Sequence, residues 1–536
     1  MANLISKIRA RRTRDRERKS GQMSAAQLPL PENPYLGLLI GLVFWAAASF
    51  LMHAGYWLGS KESVIGAGFR VTGDAAFLLA GILATAIYLN TVQPGFLRRN
   101  SRIALLALIT LLPLALSKAA YRLFQVSGWI PAEVTVFLLP FALAPLLATI
   151  LTNSNAGIAV GVWASLGLAL LAGRSFTVLV TGLIATTVAA FTARSIRTRS
   201  RVFSIGLWIG MSQLLCVFAQ TALDWSEASP LLVVHQALAC IAGGLFSAVV
   251  VLVVLPAFEI LFGVTTDIRL LEISDLGHPL LQSLAIEAPG TYHHSLVVAN
   301  LAQAAADEIG ANSLLARVCA YFHDIGKLAK PEFFAENIHL RDNPHDDLPP
   351  SMSTLILASH VKEGVSLAML HKLPGPVAAV IREHHGTGLM SVFHHKAKTQ
   401  MELDLRKPDS VSSPVDESSF RYPGPKPTTR ESALICLADA VEAASRSIEK
   451  NSPGHIESLV QDIVMSRFED GQLDQCELTL SDLTRVKRSF VFTLRSMYHG
   501  RVSYPKDENR DKQPAKDGAA EPAEGRSADK TSHAQG

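Results

Sequence analysis

From residue 35 to residue 53 the chain is almost wholly apolar, and further runs of this kind follow at about 72–93, 103–120, 131–151, 156–173, 175–193, 203–222 and 234–262. A helix rises about 1.5 Å per residue, so each run approaches the roughly twenty residues that cross the hydrocarbon layer. They predict a polytopic helical membrane domain of about eight spans. Only Ala172-Gly173-Arg174-Ser175 separates the fifth run from the sixth. After residue 262 the pattern changes. Apolar positions recur at i, i+3 and i+4 over 295–309, 313–322, 352–370, 374–384, 432–450, 457–466 and 481–498, with Gly or Pro near several ends. That spacing predicts a second, water-soluble helical bundle. No alternating strand pattern stands out, so the expected fold class is all-α.

Basic residues orient the spans, because they accumulate on the cytoplasmic side. The first 30 residues, the connection with Arg98, Arg99 and Arg102, and the one with Arg194, Arg197, Arg199 and Arg201 are strongly basic. With eight spans, all three fall on one side. The other side receives Lys61 with Glu62, Tyr121 with Arg122, and Asp224-Trp225-Ser226-Glu227. The N-terminus is therefore expected inside, and the chain returns to the cytosol near residue 262. His53, Asp74, Lys118, Glu133 and His235 sit near span ends rather than at the midplane, which argues against an ion pathway and against transport.

Composition agrees with this layout. Apolar residues make up 49% and charged residues 18% of 536, with mean hydropathy +0.26, which excludes a purely soluble enzyme. A net charge of +3 is too small to suggest a nucleic acid polymer as partner. Five cysteines without CxxC spacing fit reduced, cytosol-facing thiols. The basic start is followed by a polar stretch and a run long enough to span, so no cleavable signal peptide is expected. The expected organisation is a basic disordered cytosolic arm (1–30), the membrane domain (31–262), a connector helix (263–290), a soluble domain (291–500) with a polar, proline-containing insertion (394–430), and a disordered tail (501–536).

Candidate chemistry lies in the soluble part. Tyr321-Phe322-His323-Asp324-Ile325-Gly326-Lys327 pairs an imidazole with a hard carboxylate, donors that suit a metal centre acting on phosphate. Alone, the pair would fit any solvated helix face. Its company is informative: Tyr292-His293-His294-Ser295 upstream, then Ser359-His360-Val361, Arg382-Glu383-His384-His385-Gly386 and Leu437-Ala438-Asp439-Ala440. These stations lie on or beside helical segments, so their side chains can converge in a bundle core.

This series resembles the HD-domain metallophosphohydrolases, in particular the membrane-anchored HDIG branch, the seven-transmembrane HD family. The words Pro289-Gly290-Thr291-Tyr292-His293-His294-Ser295, Lys327-Leu328-Ala329-Lys330-Pro331-Glu332-Phe333-Phe334, Asn343-Pro344-His345-Asp346 and His360-Val361-Lys362-Glu363-Gly364 carry the likeness. It covers residues 267–498 closely and the membrane half only in layout. The resemblance implies one metal held by His294, His323, Asp324 and Asp439, and another by Asp324, His360 and His384 with His385 close by. It implies His294 rather than His293 as ligand. Asp324 suits a bridge because a carboxylate offers two oxygens. Glu442 is a rival carboxylate for Asp439. Lys327, one turn past the ligand pair, is placed to offset phosphate charge.

Two divalent cations are expected, Mn or Fe being favoured by the mixed imidazole and carboxylate set. The resemblance further implies a membrane enzyme in the cell inner membrane that opens cyclic di-AMP to linear pApA in the cytosol. A GYP word is missing, since Thr387-Gly388-Leu389-Met390 follows His384-His385-Gly386, and this disfavours cyclic di-GMP. The alternatives are a nucleotide sensor with a binding-only HD domain, or hydrolysis of cyclic di-GMP or another nucleotide. The expected partners are the cyclic dinucleotide and the lipid bilayer, and the resemblance allows a homodimer. Family members usually carry a large extracytoplasmic domain after the first span; here that connection is only about 54–71, so sensing by such a domain is not carried over.

Overall fold

The computed structural model describes residues 30–53, 64–223, 229–338, 343–405, 414–446 and 453–499. The expected arm (apart from residue 30), the tail, Lys61 with Glu62, and Asp224 to Glu227 lie outside the described residues.

The membrane half contains α1 (Pro34–His53), α2 (Val64–Val92), α3 (Asn100–Ser127), α4 (Ala132–Thr135), α5 (Leu143–Leu151), α6 (Ser154–Leu171), α7 (Phe176–Thr192), α8 (Arg199–Leu223) and α9 (Pro230–Phe262). Among the described residues, seven segments are long and apolar enough to cross a membrane, and the 17-residue α7 is a shorter apolar helix beside them. The expected fourth span is broken. It runs through α4, a 3-10 turn at Val136–Leu138, extended Leu139 and then α5, because Pro140 has no N–H with which to continue the ladder. Most of the segment Ala132–Leu151 is buried within the protein, 83% over its most apolar 18 residues, the setting in which irregular backbone is tolerated at membrane depth.

Small residues let α8 and α9 touch. A Cβ on Gly206 would lie 2.8 Å from the Gly244 carbonyl oxygen, one on Gly210 2.8 Å from Ile241 Cα, and one on Gly244 would collide with the Gly206 carbonyl oxygen. Close backbone approach of this kind supplies helix association where lipid is as apolar as leucine. Three of the span-end groups, His53, Asp74 and Lys118, have local partners. Asp74 accepts from Arg174 Nε (3.1 Å) and Nη2 (3.0 Å), with His53 Nε2 at 3.3 Å, and Lys118 Nζ donates to the Met52 carbonyl at 2.6 Å.

The connector expected as a helix over 263–290 is two helices, α10 (Asp267–Ile273) and α11 (Pro279–Glu287). The break has a local cause: Asp275 Oδ1 accepts from Gly277 N, His278 Nδ1 caps Leu280 N, and Pro279 opens a new first turn. Then follow α12 (Pro289–Ile309), α13 (Ser313–Phe322), α14 (Pro350–Leu370), α15 (Gly375–Glu383), α16 (Ser391–Leu405), α17 (Arg430–Ser445), α18 (Pro453–Glu469) and α19 (Leu480–His499). Helix α12 is central, its Val298, Leu301, Ala302, Ala305 and Ala306 buried in one continuous core with residues of α13, α17 and α19.

Part of the expected irregular insertion is helical. Helix α16 occupies 391–405, where Lys396, Lys398, Gln400, Met401 and Glu402 are strong helix formers although the segment lacks an apolar stripe. Residues 406–413 lie outside the described set. The chain returns through a 3-10 turn, Glu417–Phe420, and an isolated antiparallel bridge between Leu389 and Arg421.

Candidate metal centre

Helix α13 starts on Asn312, whose side chain accepts from Leu315 N, and ends at His323 and Asp324 as the chain tightens into the 3-10 turn Ile325–Ala329. This change of winding turns two adjacent side chains into one pocket. Gly326 is needed there, since a Cβ would collide with the His360 carbonyl oxygen of α14. The close approach carries His360 to Asp324. His294 comes from α12, His384 and His385 from the end of α15, and Asp439 from α17. Glu383 fastens α15 to the start of α17 by accepting from Thr428 N and Oγ1 and from Ser432 Oγ.

The two oxygens of Asp324 face different histidines. Oδ2 lies 3.2 Å from His323 Nε2 and 3.5 Å from His294 Nε2, whereas Oδ1 lies 3.4 Å from His360 Nε2 and 3.6 Å from His384 Nε2. Asp439 Oδ1 is 3.0 Å from His294 Nε2, and its Oδ2 is 3.4 Å from His385 Nδ1. Two groups result, His294/His323/Asp324/Asp439 and Asp324/His360/His384/His385, each with ligand atoms within 4.8 Å of one another. All seven residues expected at the metals are thereby brought together. His293 is exposed.

The donor chemistry fits cations. His323, His360 and His384 direct Nδ1 to the carbonyls of Ala320 (2.7 Å), Leu357 (2.6 Å) and Ile381 (2.9 Å), and His294 Nδ1 meets Glu442 Oε2 at 2.5 Å. Each bond fixes the ring and leaves Nε2 for a ligand. His294 Nε2, His323 Nε2 and both Asp324 oxygens are buried without a hydrogen-bond partner, although Lys327 Nζ approaches Oδ2 to 2.7 Å off the bonding direction. A bare buried carboxylate among bare imidazole nitrogens is costly unless a cation joins them.

The charge arrangement is lopsided. Burial lowers the His360 pKa to about 4 and pushes His385 well down, so both rings are neutral. Burial opposes charge on His323 too, but Asp324 and Asp439 outweigh it and raise the pKa to about 10. His294 is raised likewise, against burial, by Asp439 and Glu442. Against burial, His323 and Lys327 hold Asp324 well below the usual carboxylate range, and His294 and His323 do the same for Asp439. Lys327 Nζ also lies 2.7 Å from Glu336 Oε1, and Asp324 and Glu336 raise its pKa although burial works the other way.

Glu442, expected as a rival carboxylate for Asp439 and one turn from it on the same helix face, instead supports His294. Two further neighbours carry no clear signal in the sequence. Glu336, which also accepts from Thr291 Oγ1, comes from a 3-10 turn without periodicity. Tyr422 comes from the insertion and stacks on His385 with ring centroids 4.1 Å apart and planes at 27°. Burial raises the Tyr422 pKa; Lys327 lowers it, and Asp439 and Asp324 raise it further.

A family model described as "7TM receptor with intracellular HD hydrolase" matches residues 69–266, and one described as "HD domain" matches residues 291–444. The chain belongs to the seven-transmembrane HD family. It is a multi-pass membrane protein of all-α fold, with a His/Asp cluster able to bind metal in its HD domain. Over 448 residues it is 34% identical to "Cyclic-di-AMP phosphodiesterase PgpH" of Bacillus subtilis (strain 168), covering 82% of this chain and 60% of that protein. Over 380 residues it is 36% identical to the protein of that name from Listeria monocytogenes serotype 1/2a (strain 10403S), covering 70% and 51%. The chain thus spans 60% and 51% of the length of these curated relatives. The crystal structure of the L. monocytogenes PgpH HD domain in complex with cyclic-di-AMP is 42% identical, covering 41% of this chain and 99% of that one, with a TM-score of 0.38.

Proposed function

We propose that this member of the family is a metal-dependent phosphodiesterase that opens cyclic di-AMP to linear pApA on the cytosolic side of the inner membrane. In this reading residues 31–262 form the membrane domain and 291–500 the catalytic one, joined through 263–290. The observation that carries it is Asp324, with one oxygen toward His294 and His323 and the other toward His360 and His384. Names borne by the relatives supply the substrate.

Two divalent cations would be held here, one by His294, His323, Asp324 and Asp439 and the other by Asp324, His360 and His384 with His385 close by. Mn or Fe suits this donor set. Bound there, the cations would supply Lewis acidity toward a phosphoryl group and lower the pKa of water at neutral pH. The residues do the rest. Nδ1 bonds hold each imidazole in one tautomer, and Glu442 makes His294 a stronger donor. Glu336 presents the Lys327 ammonium beside Asp324, where it offsets negative charge on the phosphate in flight. Water oxygen ends on phosphorus and the ribose 3′ oxygen leaves with a proton, giving a 5′-phosphate and a free 3′-hydroxyl.

The test is a panel of cyclic di-AMP, cyclic di-GMP and dNTPs offered to purified full-length protein loaded with Mn or Fe. Formation of pApA, with slower turnover of the others, is the expected result. Metal-loaded protein that binds cyclic di-AMP and leaves it whole would support the binding-only sensor.

A further inference from the structure

The polar insertion leaves the bundle after α15 and comes back to it beside the pocket, and its return is tied down. Met390 N donates to the Phe420 carbonyl (2.9 Å) and Tyr422 N to the Gly388 carbonyl (3.0 Å), either side of the Leu389–Arg421 bridge. Arg421 between them is held by Asp470 (2.9 and 3.1 Å), Glu417 (2.8 Å) and the Thr387 carbonyl (2.9 Å). Such anchoring fixes where the next side chain points. That side chain is Tyr422, lying face to face on His385 and with its ring plane at 83° to His360, centroids 6.3 Å apart.

The hydroxyl is the unusual part. Apart from the bare ligand atoms of the two His/Asp groups, its polar neighbours are paired: Lys327 with Asp324 and Glu336, Glu442 with His294 and Arg446, Glu383 with Thr428 and Ser432. Tyr422 Oη makes no hydrogen bond to any of the described residues, yet it is near enough to Lys327, Asp439 and Asp324 to feel their charge. It is absent from the sealed, unpartnered polar atoms and so keeps access to the pocket. A free phenol is protonated at neutral pH and is a good donor. Stacked on the His385 imidazole and within electrostatic reach of the Lys327 ammonium, it suits an anionic oxygen.

We propose that Tyr422 is a substrate-contacting catalytic residue whose O–H donates a hydrogen bond to a non-bridging oxygen of the scissile phosphate. The insertion exists, on this view, to deliver that donor. The inference rests on the phosphodiesterase reading, and Tyr422→Phe isolates it, because phenylalanine keeps the stack on His385 and removes only the hydroxyl. One lost donor to developing phosphate charge lowers rate by roughly 10- to 100-fold.

The experiment compares full-length wild type, Tyr422→Phe and Tyr422→Ala for bound metal, thermal unfolding, kcat and KM on cyclic di-AMP, and calorimetric affinity for inorganic phosphate. Wild-type metal content and unfolding in Tyr422→Phe, with kcat down roughly 10- to 100-fold and phosphate bound at least about threefold more weakly, is the expected result. Unchanged kcat and phosphate affinity overturn the proposal. Metal loss in Tyr422→Phe also overturns it, since the ring environment and not the donor would then matter. If wild type cleaves no phosphodiester yet binds phosphate through the hydroxyl, the enzymatic reading falls and the Tyr422 contact stands. If wild type neither cleaves nor binds phosphate, both fall.

Discussion

The membrane half turns large apolar side chains outward, among them Leu38, Phe50, Phe69 and Val253, and packs helix on helix through glycine at positions such as 206, 210 and 244. The HD half does the reverse. It buries Leu301, Phe322, Phe490 and Leu434, and inside that apolar shell encloses His294, His323, Asp324, His360 and His384. The difference shows what the solvent decides. Lipid offers no hydrophobic drive between helices, so association falls to close backbone contact. Water supplies that drive, and its surplus stability lets a bundle hold bare charge that a cation can satisfy.

The largest expected effect tests whether the two halves are independent. Asp324→Ala removes the carboxylate shared by both ligand groups, so bound metal should drop to background and, on the proposed function, cyclic di-AMP hydrolysis should fall about a thousandfold or more. Thermal unfolding of the membrane half in detergent stays as in wild type; a joint collapse would break the comparison. Gly244→Leu acts on the other half. The side chain collides with the Gly206 backbone, α8 and α9 separate, and stability in detergent drops by about 3 kcal/mol or more, while metal stays bound.

Smaller effects sharpen the account of the pocket. Glu442→Gln keeps the shape but weakens the partner of His294, and metal affinity falls about 10- to 100-fold in equilibrium dialysis. Wild-type affinity also depends on pH, with a determined sign. His323 is raised from about 6.5 to about 10 in the metal-free protein. Its protonated form therefore contributes stability fully below pH ~6.5, and the contribution is lost as pH rises through about 10. A cation needs the neutral ring and must displace that proton. Metal binding should tighten from pH 6 to pH 8 on the His294/His323 side, whereas His360, already neutral with a pKa near 4, adds no dependence there. Least of all is Arg199→Met, which removes the 2.6 Å contact with Glu272 between α8 and α10. With side chains 53% and 34% exposed, it should change stability by at most about 1 kcal/mol in differential scanning calorimetry.

Much of this was legible along the chain, for reasons that differ by residue. The apolar runs declared the spans because a bilayer demands about twenty apolar residues whatever the packing. His294, His323, Asp324, His360, His384, His385 and Asp439 could be named because they lie on, or directly after, regular helices within a known order of motifs. The break at Pro140 was visible as a residue but not as an event, since a buried segment and a lipid-exposed one of that composition read alike. The turn at Asp275–Gly277 depended on a side-chain bond to backbone, and α16 on propensity without amphipathic pattern.

By itself the sequence determined two helical halves, their order and the list of ligand candidates, because periodicity and residue chemistry are local properties. Tertiary structure alone decided which oxygen of Asp324 meets which histidines, that Glu442 supports His294, that Glu336 holds Lys327, and that Tyr422 lies over His385. These are distances between residues up to 148 positions apart, set by how helices cross and by the contact that Gly326 permits, and spacing along the chain does not encode them.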